Sequence, residues 1–567
     1  MMRKCLGALA GVGVFSLASA AFAAISDSSH ARLGVAQAVG QVRYSAFCGG
    51  LDLAADGYSV RGDMAAGRFS FRTPDRASEW VELAVAASVD GRDLGPWSLV
   101  GGETRQSAAA SYLVVYTNSS SARAELEFLP SKAVFRLSFG AGAIGPVRAV
   151  TLGTGSRTDS DYVFDPSFDR QPYHEFPVGV ARRIYPGLAS PPPWVFSYRK
   201  EGRRGCWSAA LEPDAAKINF NGVRHGGCAG GRLAGWTVHY PVCRALEGPR
   251  FETPPMALRF GDEDFFGALT RHVADLKAEG RMRVPARRLP DWHSRTIACT
   301  WRFQRGPVRR DKADEATTEA FVKMLEDAGI DFGTLIIDDF WGAKHGIWEA
   351  DPKKWRDLRG FVDRQHAKGR RVLLWVCTDG EGLPANERMD AYNWNLDSVA
   401  FQARLKAAAR RMLSPEPGCY DADGVKFDFT STAPAAYGDA KDVGCGYLLR
   451  RFEMLSAALM AVKPDAILDY QCCNPYFTHT LTMLRLNDYF GAPEHGLDEM
   501  RLRARMARIC APGALVDTDH IGFGGFSYRG GYDFFRHAHE LGVPSLYLRP
   551  EDLEDRELLE SIRGERR

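Results

Sequence analysis

A lysine and an aspartate alternate with apolar residues in segment 424–429 (GVKFDF). This pattern predicts a buried β-strand, in which residues two apart point to the same side. Lys426 and Asp428 therefore share one face, and Phe427 and Phe429 the other. A buried ammonium group beside a carboxylate lowers the carboxylate pKa and keeps it ionised, which suits a nucleophile. We predict that Lys426 pairs with Asp428; a purely structural ion pair is the alternative.

Other carboxylates and several tryptophans follow apolar runs elsewhere in the second half of the chain. Asp488 is the natural partner of Asp428, because hydrolysis of a glycosidic bond can use one ionised and one protonated carboxyl group. A strand-end or helix-capping role is the alternative for Asp488. Tryptophans at strand ends either stack on a sugar ring or simply pack. The remaining residues at such ends are Trp301, Asp338, Asp339, Trp341, Trp375, Cys473, Asn474, Arg485 and Asp519.

From Arg295 onward, buried strands alternate with amphipathic helices. The predicted strands are 296–303, 334–341, 371–377, 424–430, 467–473, 484–490, 514–521 and 544–548. The clearest helices between them are 316–328, 358–368, 399–413, 448–462 and 498–510. Eight strands with a helix after each predict an α/β fold, a closed (β/α)8 TIM barrel, whose strand ends carry the chemistry. An open doubly wound sheet would need a Gly-rich first turn, which the sequence lacks.

The chain before the barrel has a different texture. Short alternating runs, broken by Gly, Pro, Asp and Ser, predict antiparallel strands of an all-β sandwich over residues 24–261. Examples are segments 112–116, 124–128, 133–137 and 236–240. Helical spacing from Phe265 to Leu276 predicts a linker helix within residues 262–290, and residues 291–567 form the catalytic barrel.

The first residues have the three regions of a secretory signal peptide. Arg3 and Lys4 precede a short apolar run, and Ala21-Phe22-Ala23 supplies small residues at a cleavage site. We predict a signal peptide over residues 1–23 and a secreted or periplasmic protein after cleavage near Ala23. An apolar N-terminal strand is the alternative. No later apolar run reaches the length of a membrane span, so no membrane partner is expected.

The composition excludes some partners. The chain has 567 residues, of which 45% are hydrophobic and 25% charged, with a net charge of +2 and dispersed basic residues. Nothing in this charge pattern points to nucleic acid. Asp517, Asp519 and His520 could hold a metal ion, but no His-x-His follows the first barrel strand. We expect neither a metal nor a cofactor, and a carbohydrate as the partner.

Six segments of the barrel resemble motifs of the α-galactosidase (melibiase) clan of retaining glycoside hydrolases, families twenty-seven and thirty-six. The matching segments are 337–341 (IDDFW, similar to I-D-D-G-W), 348–355 (similar to D-P-K-K-F-P), 426–428 (KFD, similar to K-Y/F-D), 470–475 (YQCCNP, similar to Y-S-C-E-W-P), 485–488 (RLND, similar to R-x-S-D-D) and 511–520 (similar to P-G-x-W-N-D-P-D-M). They occur in the clan's order, each near the matching strand end, and indicate a divergent member.

The resemblance implies roles for individual residues. Asp428 would be the nucleophile and Asp488 the acid/base, while Asp338 and Asp339 would hold the galactose 4- and 6-hydroxyls. Cys473 stands where the galactosidase type has a glutamate near the 2-hydroxyl, so the preference at C2 stays open. The residues expected to bind substrate are Trp301, Asp338, Asp339, Trp341, Trp375, Lys426, Cys473, Asn474, Arg485 and Asp519.

The implied function is a secreted, retaining, α-galactosidase-like glycoside hydrolase that acts on α-linked sugars. Two alternatives stay open. One is a non-catalytic carbohydrate-binding protein on a decayed barrel. The other is a relative in the same clan that acts as a transglycosidase, an α-N-acetylgalactosaminidase or an α-glucosidase.

Overall fold

The computed structural model of the protein describes most of the chain from residue 37 to residue 564. The described residues are 37–39, 42–47, 49–73, 76–106, 110–118, 122–140, 149–167, 174–178, 182–184, 191–215, 218, 223–226, 234–241, 251–304, 313–430, 444–521 and 528–564. The predicted signal peptide, residues 1–23, lies outside these ranges.

The N-terminal region consists of short β-strands. The first strands are β1 (Gln37–Val39), β2 (Val42–Phe47), β3 (Gly50–Ala54), β4 (Ser59–Asp63), β5 (Arg68–Thr73), β6 (Arg76–Ala84), β7 (Ala87–Val89), β8 (Arg92–Asp93), β9 (Ser98–Gln106), β10 (Ala110–Thr117) and β11 (Arg123–Phe128). They are followed by β12 (Ala133–Phe139), β13 (Ala149–Thr158), β14 (Tyr162–Phe164), β15 (Glu175–Pro177), β16 (Arg182–Ile184), β17 (Val195–Arg199), β18 (Cys206–Leu211), β19 (Val223–Gly226), β20 (Ala234–Pro241), β21 (Phe251–Glu252) and β22 (Met256–Asp262). The four alternating segments quoted from the sequence lie in β10, β11, β12 and β20, as predicted.

These strands form two antiparallel sheets. One has the order β1-β2-β3-β4-β5-β6-β13-β20-β19-β16, with β7 beside β13 and β8 beside β7. The other has the order β15-β14-β17-β18-β22-β12-β11-β10-β9, with β21 beside β12. The rings of Phe69 in β5 and Phe128 in β11 lie 5.5 Å apart, and Phe71 stacks on Phe260 of β22 at 4.9 Å. One face of each sheet thus supplies a shared core, as in a sandwich.

A single helix leads from the sandwich towards the barrel. Helix α1 (Phe265–Ala278) begins at Asp264, whose carboxylate accepts a hydrogen bond from the Gly267 N–H at 2.8 Å. Such a cap satisfies one of the free N–H groups of the first turn. The Phe265 ring stacks on Phe164 of β14 at 3.9 Å, which anchors the helix to the sandwich.

The C-terminal region alternates strands and helices. In chain order they are β23 (Ile297–Cys299), α2 (Trp301–Gln304), α3 (Glu315–Asp327), β24 (Thr334–Ile337), α4 (Leu358–Ala367), β25 (Arg371–Cys377), α5 (Val399–Leu413), β26 (Gly424–Asp428), α6 (Gly444–Val462), β27 (Ile467–Tyr470), β28 (Met483–Arg485), α7 (Gly496–Cys510), β29 (Leu515–Asp517), α8 (Tyr532–Leu541), β30 (Ser545–Leu546), α9 (Pro550–Leu553) and α10 (Arg556–Arg563). Short 3-10 helices span Asp291–Ser294, Ala385–Glu387, Pro475–Thr480 and Pro493–His495.

The eight strands form a parallel barrel. Each strand pairs with its neighbours in the order β29-β28-β27-β26-β25-β24-β23-β30. A parallel bridge between Asp517 and Val543 brings the end of β29 beside the segment that precedes β30. The predicted fold, a (β/α)8 barrel preceded by a β-sandwich, is therefore confirmed, and so is each of the eight predicted strands.

Two details of the barrel differ from the prediction. Most strands end earlier than predicted, because pairing stops where the chain turns into the loops of the rim; β24, for example, ends at Ile337 and not at Trp341. The expectation of a helix after every strand was wrong for β27. Only the 3-10 helix Pro475–Thr480 follows it, since the connection to β28 is too short for a longer helix.

Among the helices that the structure describes, none combines the length and the apolar composition that a membrane span requires.

Candidate active site

Carboxylates gather where the barrel strands end. Asp428 is the last residue of β26, and Asp338 directly follows β24. Asp488 lies three residues beyond β28, and Asp519 two residues beyond β29. The strands of a parallel barrel all end on one rim, so these side chains lie around one opening. That opening is where barrel enzymes carry out their chemistry.

The backbone beside these carboxylates is left-handed at four residues that are not glycine. They are Phe340 (φ 70°), Phe429 (φ 53°), Asn487 (φ 70°) and Asp519 (φ 53°). Such conformations cost about 1–3 kcal/mol and collect at functional sites. The first of them stands where the resembling I-D-D-G-W motif has its glycine. The chain thus keeps the backbone turn that glycine favours although its residue is Phe340.

Asp428 accepts hydrogen bonds from the residue that follows it and from a residue of the neighbouring strand β25. The Phe429 N–H donates to Asp428 Oδ1 at 2.9 Å, and Trp375 Nε1 donates to Asp428 Oδ2 at 3.2 Å. The Asp428 side chain is 19% exposed, although its surroundings are largely buried. A carboxylate that is oriented by two donors and still open to the rim can reach a bound substrate.

Arg485 is the cation that joins the carboxylates of the rim. Its side chain is buried, and its Nη1 lies 3.5 Å from Asp428 Oδ1. Its Nη2 lies 2.8 Å from Asp519 Oδ2 and 3.4 Å from Asp488 Oδ1. Although burial acts to raise it, the nearby positive charges of Arg485, His520 and Lys426 lower the pKa of Asp519. One guanidinium therefore contacts the two carboxyl groups that the sequence predicts to act together.

Asp488 has the environment of a protonated acid. Burial raises the pKa of Asp488 above its ordinary value, although the nearby charge of His520 acts in the opposite direction. His520 Nε2 lies 3.5 Å from Asp488 Oδ1. A raised pKa is what a carboxyl group needs in order to act as a general acid.

The predicted pairing of Lys426 with Asp428 was wrong. Lys426 Nζ instead lies 2.6 Å from Asp338 Oδ2, with both side chains almost completely buried. The Cys299 thiol donates to the same Asp338 oxygen at 3.0 Å. The interior of such a barrel is filled in layers contributed by alternate strands, and β26 and β24 are alternate strands. Residues two apart on β26 share a face but occupy different layers, so Asp428 finds its cation in Arg485 of β28.

A histidine that the sequence analysis did not single out belongs to the rim. His345 Nε2 lies 2.7 Å from Asp339 Oδ1, and His345 Nδ1 lies 3.3 Å from Asp379 Oδ2. Burial lowers the pKa of His345, but hydrogen bonds with Asp339 and Cys377 outweigh it and raise the pKa to about 11. His345 therefore carries a positive charge beside Asp339. It lies in the loop after β24 and outside the matching motifs, so the sequence held no signal for it.

The three predicted tryptophans take different places. Trp375 contacts Asp428, as described above. Trp341 is buried, and its Nε1 donates to the Trp375 carbonyl at 2.7 Å, so it supports Trp375 from behind. Trp301 is the first residue of α2 and packs against the apolar interior of the barrel. Trp375 is the one that contacts the proposed nucleophile.

Cys473 and Asn474 were expected at the sugar, but the structure does not bring them to the carboxylates. Cys473 is completely buried beside Cys510 of α7. Asn474 Nδ2 donates to the Pro192 carbonyl of the sandwich at 2.7 Å, and Asn474 Oδ1 accepts from the Tyr476 N–H at 3.0 Å. Strand β27 ends at Tyr470, so the alternation of faces cannot be extended as far as Cys473.

Asp469 in β27 and Gln471 just beyond the strand lie nearer to the rim residues. Asp469 is completely buried, and Gln471 Nε2 donates to Asn487 Oδ1 beside the acid. Burial, with the charge of Asp517, raises the pKa of Asp469 well above its ordinary value.

The rim also contains three groups that can act as metal ligands. One ligand atom each from Asp488, Asp519 and His520 lies within 4.8 Å of the others. Arg485 already supplies a positive charge to the two aspartates, and the carboxyl of Asp488 has a raised pKa. Since metal ligands bind deprotonated, these residues suit proton transfer better than a resident ion.

No protein-family model matches the sequence, and no curated protein matches it either. Solved structures match over most of the chain. An α-N-acetylgalactosaminidase from Bifidobacterium bifidum, solved as a complex with GalNAc, has a TM-score of 0.60 at 12% identity, over 91% of this chain and 93% of that one. The α-galactosidase from Lactobacillus brevis has a TM-score of 0.51 at 11% identity, over 90% and 82%. A GH36 α-galactosidase from Geobacillus stearothermophilus has a TM-score of 0.51 at 10% identity, over 93% and 85%.

The chain has the fold of these glycoside hydrolases. The match extends over the sandwich as well as the barrel, since each structure covers at least 90% of this chain. This shared fold agrees with the resemblance to the α-galactosidase clan that the motifs carry.

Proposed function

We propose that the protein is a retaining glycoside hydrolase that acts on α-linked sugars, with Asp428 as nucleophile and Asp488 as acid/base. The observation that carries this proposal is the position of Arg485 between the two groups. Its guanidinium lies 3.5 Å from a carboxylate that is open to the rim and 3.4 Å from a carboxyl group whose pKa is raised. Two carboxyl groups at one opening, one of them with a raised pKa, can supply the nucleophile and the acid of glycoside hydrolysis.

The reaction takes place in two displacements. Asp428 attacks the anomeric carbon while Asp488 donates its proton to the leaving oxygen, which breaks the glycosidic bond and forms a glycosyl-enzyme. Asp488, now ionised, accepts a proton from water, and the water oxygen displaces Asp428. Trp375 holds the attacking carboxylate in place. Arg485 stabilises the negative charge that remains on the carboxylates at each stage.

The hydroxyls of the sugar are held by the remaining polar groups of the rim. Lys426 holds the carboxylate of Asp338 and His345 holds that of Asp339, so both carboxylates have fixed positions. By the clan resemblance these two would take the 4- and 6-hydroxyls of galactose. We therefore propose an α-galactoside as the preferred substrate. The GalNAc of the solved α-N-acetylgalactosaminidase makes an N-acetyl-α-galactosaminide the next sugar to test.

A panel of 4-nitrophenyl α-glycosides tests the proposal. The panel contains the galactoside, the glucoside and the N-acetylgalactosaminide, each assayed with the wild type, Asp428→Asn and Asp331→Asn. Asp331 is 90% exposed and precedes β24 at the opposite end of the barrel, so it controls for the chemical change itself. We expect activity on the galactoside that Asp428→Asn abolishes and Asp331→Asn retains. NMR of the first product should show the α-anomer, which indicates retention.

The same panel separates the alternatives. Activity that survives Asp428→Asn would refute the nucleophile, and a β-anomeric product would indicate inversion. Binding of sugars without hydrolysis of any panel member would favour a carbohydrate-binding protein on this barrel.

We also infer export of the protein, on the signal peptide that the sequence predicts over residues 1–23. Mass spectrometry of the protein from the culture medium or periplasm of an expressing bacterium should find an N-terminus close to residue 24. A full-length chain in the cytoplasm alone would contradict this inference.

A further inference from the structure

A buried arginine on α7 binds the backbone of the segment that carries the proposed acid. The Arg503 side chain is completely buried, and its Nη1 donates to three consecutive carbonyls. The distances are 3.1 Å to the Leu486 carbonyl, 2.9 Å to the Asn487 carbonyl and 3.3 Å to the Asp488 carbonyl. Hydrogen bonds from a charged donor are the strong ones, so this guanidinium fixes the path of the chain immediately at Asp488.

The backbone at this place needs such support. Asn487 has φ of 70°, in the left-handed region that residues other than glycine rarely adopt. A strained residue stays in place only when its surroundings determine its conformation. The carbonyls on either side of Asn487 and its own carbonyl are the three that Arg503 binds. Without Arg503, the turn could relax and carry the Asp488 carboxyl away from the leaving oxygen.

Arg503 is in turn connected to the sandwich through a buried carboxylate. Glu499, one turn earlier on α7, accepts a hydrogen bond from Arg503 Nε at 2.5 Å. The same Glu499 Oε1 lies 3.0 Å from His174 Nε2, and His174 lies directly before β15 of the sandwich. Although burial acts to raise it, hydrogen bonds and charges of His174 and Arg503 lower the pKa of Glu499. The carboxylate is therefore ionised and links the two.

His174 is itself fixed within the sandwich. Its Nδ1 lies 2.9 Å from the Asp165 carbonyl, and its ring stacks on Phe164 with centroids 5.4 Å apart. The two ring nitrogens of His174 thus contact a carbonyl of the sandwich and the carboxylate of Glu499. The chain of contacts from His174 through Glu499 and Arg503 to the carbonyl of Asp488 is continuous and almost completely buried.

We propose that Arg503 is a positioning residue for the acid/base carboxyl of Asp488, and that the sandwich supports the active site through His174 and Glu499. This inference rests on the proposed function, because it gives the sandwich a part in proton transfer to the leaving group. It makes the N-terminal domain a component of the catalytic apparatus.

The test uses two substrates that differ in their need for an acid. Phenyl α-galactoside needs protonation of its leaving oxygen, whereas α-galactosyl fluoride releases its fluoride ion without protonation. If the wild type prefers another sugar, the phenyl glycoside and the glycosyl fluoride of that sugar are used. For Arg503→Lys, kcat/KM for the phenyl glycoside should fall by roughly tenfold to a hundredfold, a part of the full effect of a general acid. The value for the fluoride should stay near that of the wild type.

Glu499→Gln and His174→Gln should change the two substrates in the same sense but less strongly, because Arg503 is still present. Circular dichroism shows whether Arg503→Lys folds. If it does not, Glu499→Gln takes its place in the test. In an Asp488→Ala background, Arg503→Lys should cause no further selective loss on the phenyl glycoside, since the carboxyl that it positions is gone.

Tyr476→Phe is the matched control. The Tyr476 hydroxyl donates to the Pro213 carbonyl of the sandwich at 2.8 Å, so the variant loses a buried contact between the two regions without touching segment 486–488. It should show no selectivity between the substrates. Equal losses on both substrates in folded Arg503 and Glu499 variants would overturn the positioning role. If the wild type cleaves no α-glycoside, the proposed function and this inference both fail. If Asp428→Asn and Asp488→Ala behave as proposed but the Arg503 and Glu499 variants do not, this inference alone fails.

Discussion

The two proposed catalytic carboxyls lie on the same rim but depend on different parts of the molecule. Asp428 is the last residue of a barrel strand, and its contacts described above come from the barrel: Trp375, the Phe429 N–H and Arg485. Asp488 lies beyond the end of β28 in a strained segment, which α7 and the sandwich support. A nucleophile at the end of a strand is held in place by the barrel itself. An acid in a loop must be held in place by other parts of the molecule.

The nucleophile side should show the largest effect. For Asp428→Gly, kcat/KM should fall by about 10⁴-fold or more for the phenyl galactoside and the fluoride alike, because neither can form the glycosyl-enzyme. Added azide should restore turnover of the fluoride and give the β-glycosyl azide, since azide attacks the face that Asp428 has left. Kinetics and NMR of the product check both statements. An α-azide would place the nucleophile elsewhere.

The acid side should respond selectively. For Asp488→Ala, kcat/KM should fall by roughly 10²–10⁴-fold for the phenyl galactoside, whereas the fluoride should change little, because only the former needs a proton. Azide should give the α-glycosyl azide in this variant, by attack on the glycosyl-enzyme that Asp428 still forms. If both substrates lose activity equally, Asp488 is not the acid. The opposite anomers of the two azide products would make the contrast between the two sides direct.

The difference between the nucleophile side and the acid side also explains which features could be predicted from the sequence. All eight barrel strands were predicted, because buried parallel strands are continuous apolar runs. Lys426 and Asp428 were placed on the inward face by period-two alternation alone. The nucleophile side could therefore be derived from local pattern, and the motif resemblance added the names of the roles.

The remainder depends on contacts between distant segments. The partner of Lys426 is Asp338, 88 positions away, and layers of a barrel interior cannot be read from one strand. Arg503 binds backbone carbonyls, which every residue has, so no type of partner side chain in the sequence indicates its role. His174 and Glu499 are 325 positions apart, and nothing in either local sequence indicates the other. The motif resemblance places Cys473 near the sugar, but β27 ends at Tyr470 and the chain beyond it buries Cys473 beside Cys510.

Beneath the nucleophile, the ion pair of Lys426 with Asp338 should matter for stability. Lys426→Met leaves the Asp338 carboxylate buried without its ammonium, and breaking such a pair lowers the free energy of unfolding by about 3 kcal/mol. Urea unfolding measures this loss. The matched control is Lys323→Met, because Lys323 pairs with Asp327 at 2.8 Å on the exposed surface of α3 and should shift the midpoint very little. Equal shifts in the two variants would show that the interior pair is as solvent-screened as the surface one.

The smallest effect should come from Asp469, below the acid side of the rim. Asp469 is completely buried, neither of its carboxyl oxygens has a hydrogen-bond partner in the described part of the chain, and burial with the charge of Asp517 raises its pKa well above the ordinary value. The folded protein therefore keeps this proton at pH values where the unfolded chain, with an ordinary pKa of about 3.9, has lost it. Folding stability from this group falls as the pH rises above that ordinary value towards the raised one.

Asp469→Asn mimics the protonated acid and removes this dependence of stability on pH. Its melting temperature should exceed that of the wild type by a margin that grows from pH 5 to pH 8, equivalent to the order of 1 kcal/mol. A margin that shrinks with rising pH would mean that Asp469 is ionised in the folded protein, and the acid side of the rim would then carry one more negative charge than the structure indicates.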